Sequence, residues 1–144
     1  NNIIKENEPY IIAINTAQIP FGWAESDIPK PISAVYPFGQ SYAVFDKATL
    51  EIKETGHHLR SNINKHGGSP VETSWFLNPC YSGISGMIFA NINAHQRLPP
   101  SPRCLSYVHN LCAANPLPTS PVRFGREYYI DETNQHYHLE MVRN

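Results

Sequence analysis

The densest group of side chains able to do chemistry lies in "GHHLRSNINKHGG", which ends in two glycines. Arg60, Lys65 and His66 are basic side chains. Gly67 and Gly68 leave backbone N–H groups uncovered, and such groups bind phosphate oxygens. These five residues, called here the basic cluster, are the candidates for contact with a phosphate or a partner protein. A solvated strand and loop has the same composition and is the favoured interpretation.

Two adjacent histidines in the same stretch, His57 and His58, raise the alternative of an HNH-type nuclease site, where paired histidines hold a divalent metal. Neighbouring residues of a strand point to opposite faces, so these two rings cannot chelate one ion together. The asparagine that would complete such a motif, Asn110, is also far from the glycine pair in sequence, whereas that metal unit is compact. We therefore expect no metal site here.

The segment "VHNLCAANPLP" contains His109 and Cys112 close together, which suggests a Cys–His nucleophilic pair. A reactive thiolate needs a cationic neighbour or a helix N-terminus. This segment supplies an apolar strand end and a loop interrupted by Pro116 and Pro118. It predicts a small buried cysteine, with His109 and Asn110 using their side chains to satisfy loop backbone.

A third candidate lies near the end of the chain, in "QHYHLE". His136 and His138 are two positions apart, which places both on one face of a strand, with Glu140 next along that face. Such residues bind metal ions. The alternation equally suits the polar outer face of a terminal hairpin, and that interpretation is favoured.

These candidates depend on the elements that carry them. "PYIIAIN" predicts a strand buried on both faces, and "PISAVYP" predicts a short helix capped by Ser26 or Asp27. "SYAVFDKATLEIKE" predicts a β-hairpin that turns at Asp46–Thr49. Thr73–Leu77 is predicted as a helical turn.

The second half of the chain adds two more apolar segments, Ser82–Ile92 and Leu105–His109, which we predict as buried strands. A further hairpin is expected to turn at Glu132–Gln135. The expected fold is α+β: a single strand-rich domain over residues 1–144, with a mixed or antiparallel sheet, two β-hairpins and one or two short helices.

The composition limits the class of protein. Hydrophobic residues make up 41% of 144 and charged residues 16%, a balance that supports a folded core. The net charge of −1 gives no overall attraction to nucleic acid. The three cysteines form no C-x-x-C pair, which favours a reducing, cytoplasmic compartment. No apolar run approaches the length of a membrane span, so no membrane partner is expected.

Five phrases occur together in order: "PYIIAIN", "AVYPFG", "YSGISGMIFANI", "YVHNLCAANPLP" and "FGREYYI". This arrangement resembles the C-terminal portion of a group of uncharacterised bacterial proteins. In those proteins, two apolar strands lead to an "H-N-P-x-A-x-N-P-L-P" loop. This pattern is similar to the segment that follows the catalytic core in some proteins with the restriction-endonuclease-like, or PD-(D/E)XK, fold. Leu111 stands where that loop often has proline.

The resemblance implies a role and its limits. In that group an Asp and a Glu-x-Lys on upstream strands hold Mg²⁺ and orient water, and only nine residues precede Tyr10 here. The chain is therefore expected to be a C-terminal, supporting part of a nuclease-like protein without a complete active site. Mg²⁺ would be present only with an N-terminal half, and DNA would be bound only through the full-length protein. The expected neighbours are that N-terminal segment or a second copy. The alternative is a non-catalytic binding or protein-interaction module.

Overall fold

The computed structural model describes residues 7–20, 27–93, 104–119 and 125–130, and the backbone of 137–142. Its strands, in chain order, are β1 Ile11–Asn15, β2 Phe38–Phe45, β3 Ile52–Leu59, β4 Asn62–Asn64, β5 Pro70–Glu72, β6 Gly86–Ala90, β7 Leu105–His109, β8 Gly125–Ile130 and β9 Tyr137–Val142. The helices are α1 Lys30–Val35 and two short 3-10 helices, Trp75–Leu77 and Pro79–Tyr81. This strand-rich α+β architecture confirms the predicted fold class.

Five of these strands form one mixed sheet in the order β1-β6-β7-β8-β9. The pairs β1–β6 and β7–β8 are parallel, whereas β6–β7 and β8–β9 are antiparallel. The terminal hairpin predicted from the sequence is the β8–β9 pair, and its turn lies outside the described residues. The apolar segments predicted as strands therefore lie side by side in one sheet.

The strand β1 is less buried than its sequence predicts. Ile12 and Ile14 pack against the core, while Ala13 and Asn15 are exposed. The prediction of burial on both faces was wrong. The reason is the position of β1 in the sheet. Among the described strands, β1 pairs only with β6 and stands at the end of the sheet. One face of β1 is therefore covered less than the same face of a central strand.

The helix α1 forms where "PISAVYP" predicts it and covers one face of the sheet. Ile32 and Val35 are almost fully buried and belong to the same cluster as Met87, Val108 and Tyr128 from the sheet. The predicted cap at Asp27 was wrong, because the N-cap is Pro29, whose ring fixes the backbone angle φ, and no side-chain hydrogen bond is described at this cap. The other predicted cap, Ser26, lies outside the described residues.

The hairpin of β2 and β3 also agrees with the sequence. The Asp46 carboxylate accepts hydrogen bonds from the N–H groups of Ala48 and Thr49, at 2.7 and 3.1 Å, and pairs with the Lys53 ammonium at 2.6 Å. These contacts close the turn in the way that makes Asp common in turns. Beyond it, β4 and β5 form an additional short hairpin around the glycine pair, in the stretch for which the sequence favours a solvated strand and loop.

Gly86 at the start of β6 is required by a close approach. A Cβ atom built there would lie 2.6 Å from the carbonyl oxygen of Val108 and in contact with the Tyr107 hydroxyl. The Tyr107 ring therefore leans over Gly86, which lies opposite His109 in the register of β6 and β7. Within the described residues, no helix has the length and apolar character that crossing a membrane requires.

Candidate functional site

The basic cluster is distributed over two elements. Arg60 follows β3, and Lys65 to Gly68 form the exposed turn between β4 and β5. Gly68 has a φ of 83°, in the left-handed region that glycine tolerates. Its N–H donates to the Lys65 carbonyl at 2.8 Å, so that donor closes the turn. The turn is accessible to a partner, and the phosphate contact stays a prediction.

The histidines considered for metal binding are separated by their surroundings. The His57 ring packs edge-on against Phe38, with centroids 5.7 Å apart, and the His58 ring lies 5.0 Å from that of Tyr42. Among the described residues, no group of three or more His, Cys, Asp or Glu side chains is placed to hold a metal ion. The third candidate, His136, His138 and Glu140, lies outside the described side chains.

The cysteines of the chain are all free thiols: Cys80 is exposed, and Cys104 and Cys112 are partly buried. Cys112 donates its backbone N–H to the Asn110 side chain at 2.9 Å. In the described part of the chain no hydrogen bond joins its thiol to the His109 ring, which is engaged elsewhere. The geometry gives the nucleophilic pair no support.

Asn110 organises the loop after β7, as the sequence predicts. Its side-chain amide donates to the carbonyls of Tyr81 and Ile84, at 3.0 and 2.7 Å, while its oxygen accepts from Cys112. Its backbone N–H also donates to the Ser85 carbonyl at 3.1 Å. The side chain therefore joins the loop to the segment that precedes β6.

His109 does not serve loop backbone with its ring, so that part of the prediction was wrong. Its Nε2 lies 2.5 Å from Oε1 of Glu127, and the side chains are 13% and 3% exposed. Strand β8 runs parallel to β7, with Tyr107 opposite Glu127, which brings the carboxylate beside the imidazole. Sequence reasoning missed Glu127. The alternation of Tyr107 and His109 with the buried residues Ser106 and Val108 indicated only that the His109 side chain lies on the other face of β7.

Tyr107 completes this group, called here the His109 cluster: Tyr107, His109 and Glu127. The Tyr107 ring meets the His109 ring edge-on, with centroids 4.7 Å apart. Its hydroxyl is buried, and no hydrogen-bond partner for it is found among the residues that the structure describes. Burial, and secondly the charge of Glu127, raise the pKa of Tyr107 above its ordinary value, so the hydroxyl stays protonated.

The Tyr36 hydroxyl, in contrast to that of Tyr107, makes two hydrogen bonds. It donates to the His109 carbonyl at 2.6 Å and accepts from the Leu111 N–H at 3.1 Å. Burial raises the pKa of Tyr36 above its ordinary value, and the N–H of Leu111 opposes this shift. Tyr36 thus fixes the end of β7 from the side of α1.

The same substitution by phenylalanine should affect stability differently at these two tyrosines. Tyr36→Phe should lower the free energy of unfolding by about 1–3 kcal/mol, because the His109 carbonyl and the Leu111 N–H lose a partner. Tyr107→Phe should leave stability unchanged or raise it, since it removes a buried hydroxyl that makes no hydrogen bond. Urea denaturation followed by tryptophan fluorescence measures both; equal losses would contradict this assignment.

The same pKa shifts predict a pH dependence. Because the folded pKa of each tyrosine lies above the unfolded value of 10.0, their contribution to stability is complete below pH 10. It is lost as the pH rises toward the folded pKa, since the unfolded chain releases these protons first. The unfolding free energy should therefore fall above pH 10, and less steeply in Tyr107→Phe. An identical alkaline slope in that variant would contradict the prediction.

No protein-family model, no curated protein and no solved structure matches this chain significantly.

Proposed function

We propose that this chain is the supporting part of a nuclease-like protein and that further strands of that protein pair with β1. The observation that carries this proposal is the position of β1. It is a parallel neighbour of β6 and stands at the end of the described sheet. Its second edge offers backbone N–H and C=O groups, which form a template for another strand.

The packing of β1 supports the same arrangement. Ile12 and Ile14 hold the strand against the core, so its backbone is fixed in an extended form before any partner arrives. Parallel strands are usually covered on both faces, whereas Ala13 and Asn15 leave one face of β1 exposed. A further part of the protein that covered this face would complete the usual arrangement. The strands added there would carry the Asp and Glu-x-Lys of the resemblance, with Mg²⁺ and DNA bound by the complete protein.

In this proposal the protein is bacterial and cytoplasmic. The state of the cysteines supports a reducing compartment, because all three thiols are free and disulfides persist mainly in oxidising ones.

The test compares residues 1–144 with the protein translated from the start of its natural reading frame. The longer protein should nick supercoiled plasmid DNA with Mg²⁺ and lose this activity in EDTA, while residues 1–144 alone should not nick it. The active preparation should also lose activity when the upstream Glu or Lys is replaced. A longer reading frame that lacks these residues, or that is inactive with Mg²⁺, would overturn the proposal.

The alternative function, a non-catalytic binding module, is favoured by one observation. The turn from Lys65 to Gly68 is exposed, and nothing lies within 4 Å of where a Cβ atom of Gly67 or Gly68 would be, so a partner can approach its backbone. Binding of a labelled duplex by residues 1–144 that weakens with salt, and weakens further in Lys65→Ala, would support this alternative. Binding unaffected by Lys65→Ala would contradict it.

A further inference from the structure

The pair formed by His109 and Glu127 lies on the face of the sheet opposite α1. Val108 and Tyr128 belong to the core on the side of α1, and neighbouring residues of a strand point to opposite faces. His109 and Glu127 therefore share the other face of the sheet. Nothing in the proposed function uses this face.

The register of β8 and β9 brings two further positions to the same face. The strands are antiparallel, with Glu140 directly opposite Glu127 and His138 directly opposite Tyr129. Directly opposite residues of an antiparallel pair belong to one face and have Cα atoms about 4.5–5.5 Å apart. The positions of His138 and Glu140 are therefore on the face that carries His109, one strand away from Glu127.

Two glutamates at directly opposite positions are an unfavourable pair, because like charges placed in this way destabilise a sheet. The cost is larger for Glu127, whose side chain is only 3% exposed, since a buried charge is stable when it is paired or bound to a metal ion. Nε2 of His109 lies 2.5 Å from Oε1 of Glu127, and a protonated imidazole offsets one negative charge. A divalent cation shared by the two glutamates would offset both charges and would leave the imidazole neutral.

The residue types indicate which cation fits. Zn²⁺ is bound in proteins by imidazole nitrogen and carboxylate oxygen, through bonds of about 2 Å. Mg²⁺ prefers oxygen ligands, so a set that includes an imidazole favours a transition metal. Adjacent strands lie about 4.8 Å apart. An ion beside Glu127 is therefore near both neighbouring strands, β7 with His109 and β9 with Glu140.

We propose that His109, Glu127 and Glu140 form a structural zinc site that joins β7, β8 and β9. The fourth ligand is His138, which is diagonal to Glu127 in the register. The metal takes the place of the proton between Nε2 of His109 and Oε1 of Glu127, and that proton moves to Nδ1 or to solvent. In the described sheet, β9 and β1 are at opposite ends. The zinc site is therefore separate from the Mg²⁺ site of the proposed function, which belongs to strands added beside β1.

The first experiment is a calorimetric titration of Zn²⁺ into metal-free residues 1–144. The chain should bind one zinc ion, and excess Mg²⁺ should not displace it. Glu127→Gln and Glu140→Gln should each weaken binding by about 10²-fold or more, since replacing even an outer partner of a metal ligand costs about 10–100-fold. The control is Glu54→Gln, at an exposed position of β3, which should leave the affinity unchanged.

Three results of this titration would overturn the proposal. The first is the absence of zinc binding. The second is an equal affinity in the natural chain and in Glu127→Gln, which would mean that zinc binds only to histidines elsewhere on the surface. The third is displacement of zinc by Mg²⁺, which would contradict a ligand set that contains an imidazole.

The second experiment uses only the natural chain, so it does not depend on how well a variant folds. Amide hydrogen exchange is measured by NMR with and without zinc. Because the ion must leave before β9 separates from β8, amides between these strands should exchange about 100-fold more slowly when free zinc is 100 times its dissociation constant. Amides of the β2–β3 hairpin, which belongs to a different sheet, should be unaffected. Unchanged exchange between β8 and β9 would overturn the proposal.

Discussion

Replacing Phe76 by alanine is expected to lower the free energy of unfolding by about 4 kcal/mol. The Phe76 side chain is fully buried and meets the Tyr36 ring edge-on, with centroids 5.7 Å apart. Truncation removes the transfer free energy of a whole ring, leaves a cavity, and takes away an aromatic contact. Thermal or urea denaturation, followed by circular dichroism, measures the loss.

The matched control is Phe45→Ala at the end of β2. That ring is 53% exposed, so its removal should cost less than about 1 kcal/mol. A loss of equal size in both variants would contradict the description of the core, because it would mean that burial does not distinguish the two rings. A small loss for Phe76 would place the core elsewhere.

Asn110→Ala should lower the free energy of unfolding by about 3 kcal/mol. Asn110 is 4% exposed, and its side chain makes three hydrogen bonds. Two of them join the loop after β7 to the turn before β6, and the third lies within the loop. Alanine leaves two carbonyls and one N–H without their partner, and each such group costs about 1–3 kcal/mol when it stays buried. Because water reaches part of the loop, we expect the total loss in the free energy of unfolding to lie near the lower end of the summed cost of these three groups.

The control for this prediction is Asn62→Ala in β4. Its side chain is exposed, and its side-chain hydrogen bond, to the Ser61 hydroxyl, is long at 3.4 Å, so the change should stay within about 0.5 kcal/mol. Asn110→Asp should be as destabilising as Asn110→Ala, because a carboxylate cannot donate to the carbonyls of Tyr81 and Ile84. An aspartate variant as stable as the natural chain would show that these donor bonds contribute little.

Local patterns predicted most of the elements correctly. The apolar run of β7 has the bounds that the sequence indicated, Leu105–His109, because five apolar or alternating residues before a turn allow little else. Asp46 marks the hairpin turn through its own hydrogen bonds to the backbone. The predicted cap of α1 failed because Pro29 fixes the start of the helix without a side-chain acceptor.

The order of strands was beyond sequence reasoning. The chain places β1 next to β6 across a long sequence separation, and two separate hairpins, β2–β3 and β4–β5, lie between them in the sequence. Such strand pairing depends on which apolar faces pack together in the folded chain, and no short sequence pattern predicts that packing. The same holds for the exposure of Ala13 and Asn15, since an apolar run does not reveal whether its strand stands at the centre or the end of a sheet.

The sequence by itself determined where most of the strands and turns lie, and that Asn110 serves the loop, because these follow from backbone preferences and from hydrogen bonds between near neighbours. Only the tertiary structure decided the partner of the His109 side chain. Its carboxylate partner is 18 residues away and reaches it through the parallel register of β7 and β8. A hydrogen bond of this kind depends on atomic distances across a sheet, which spacing along the chain does not define.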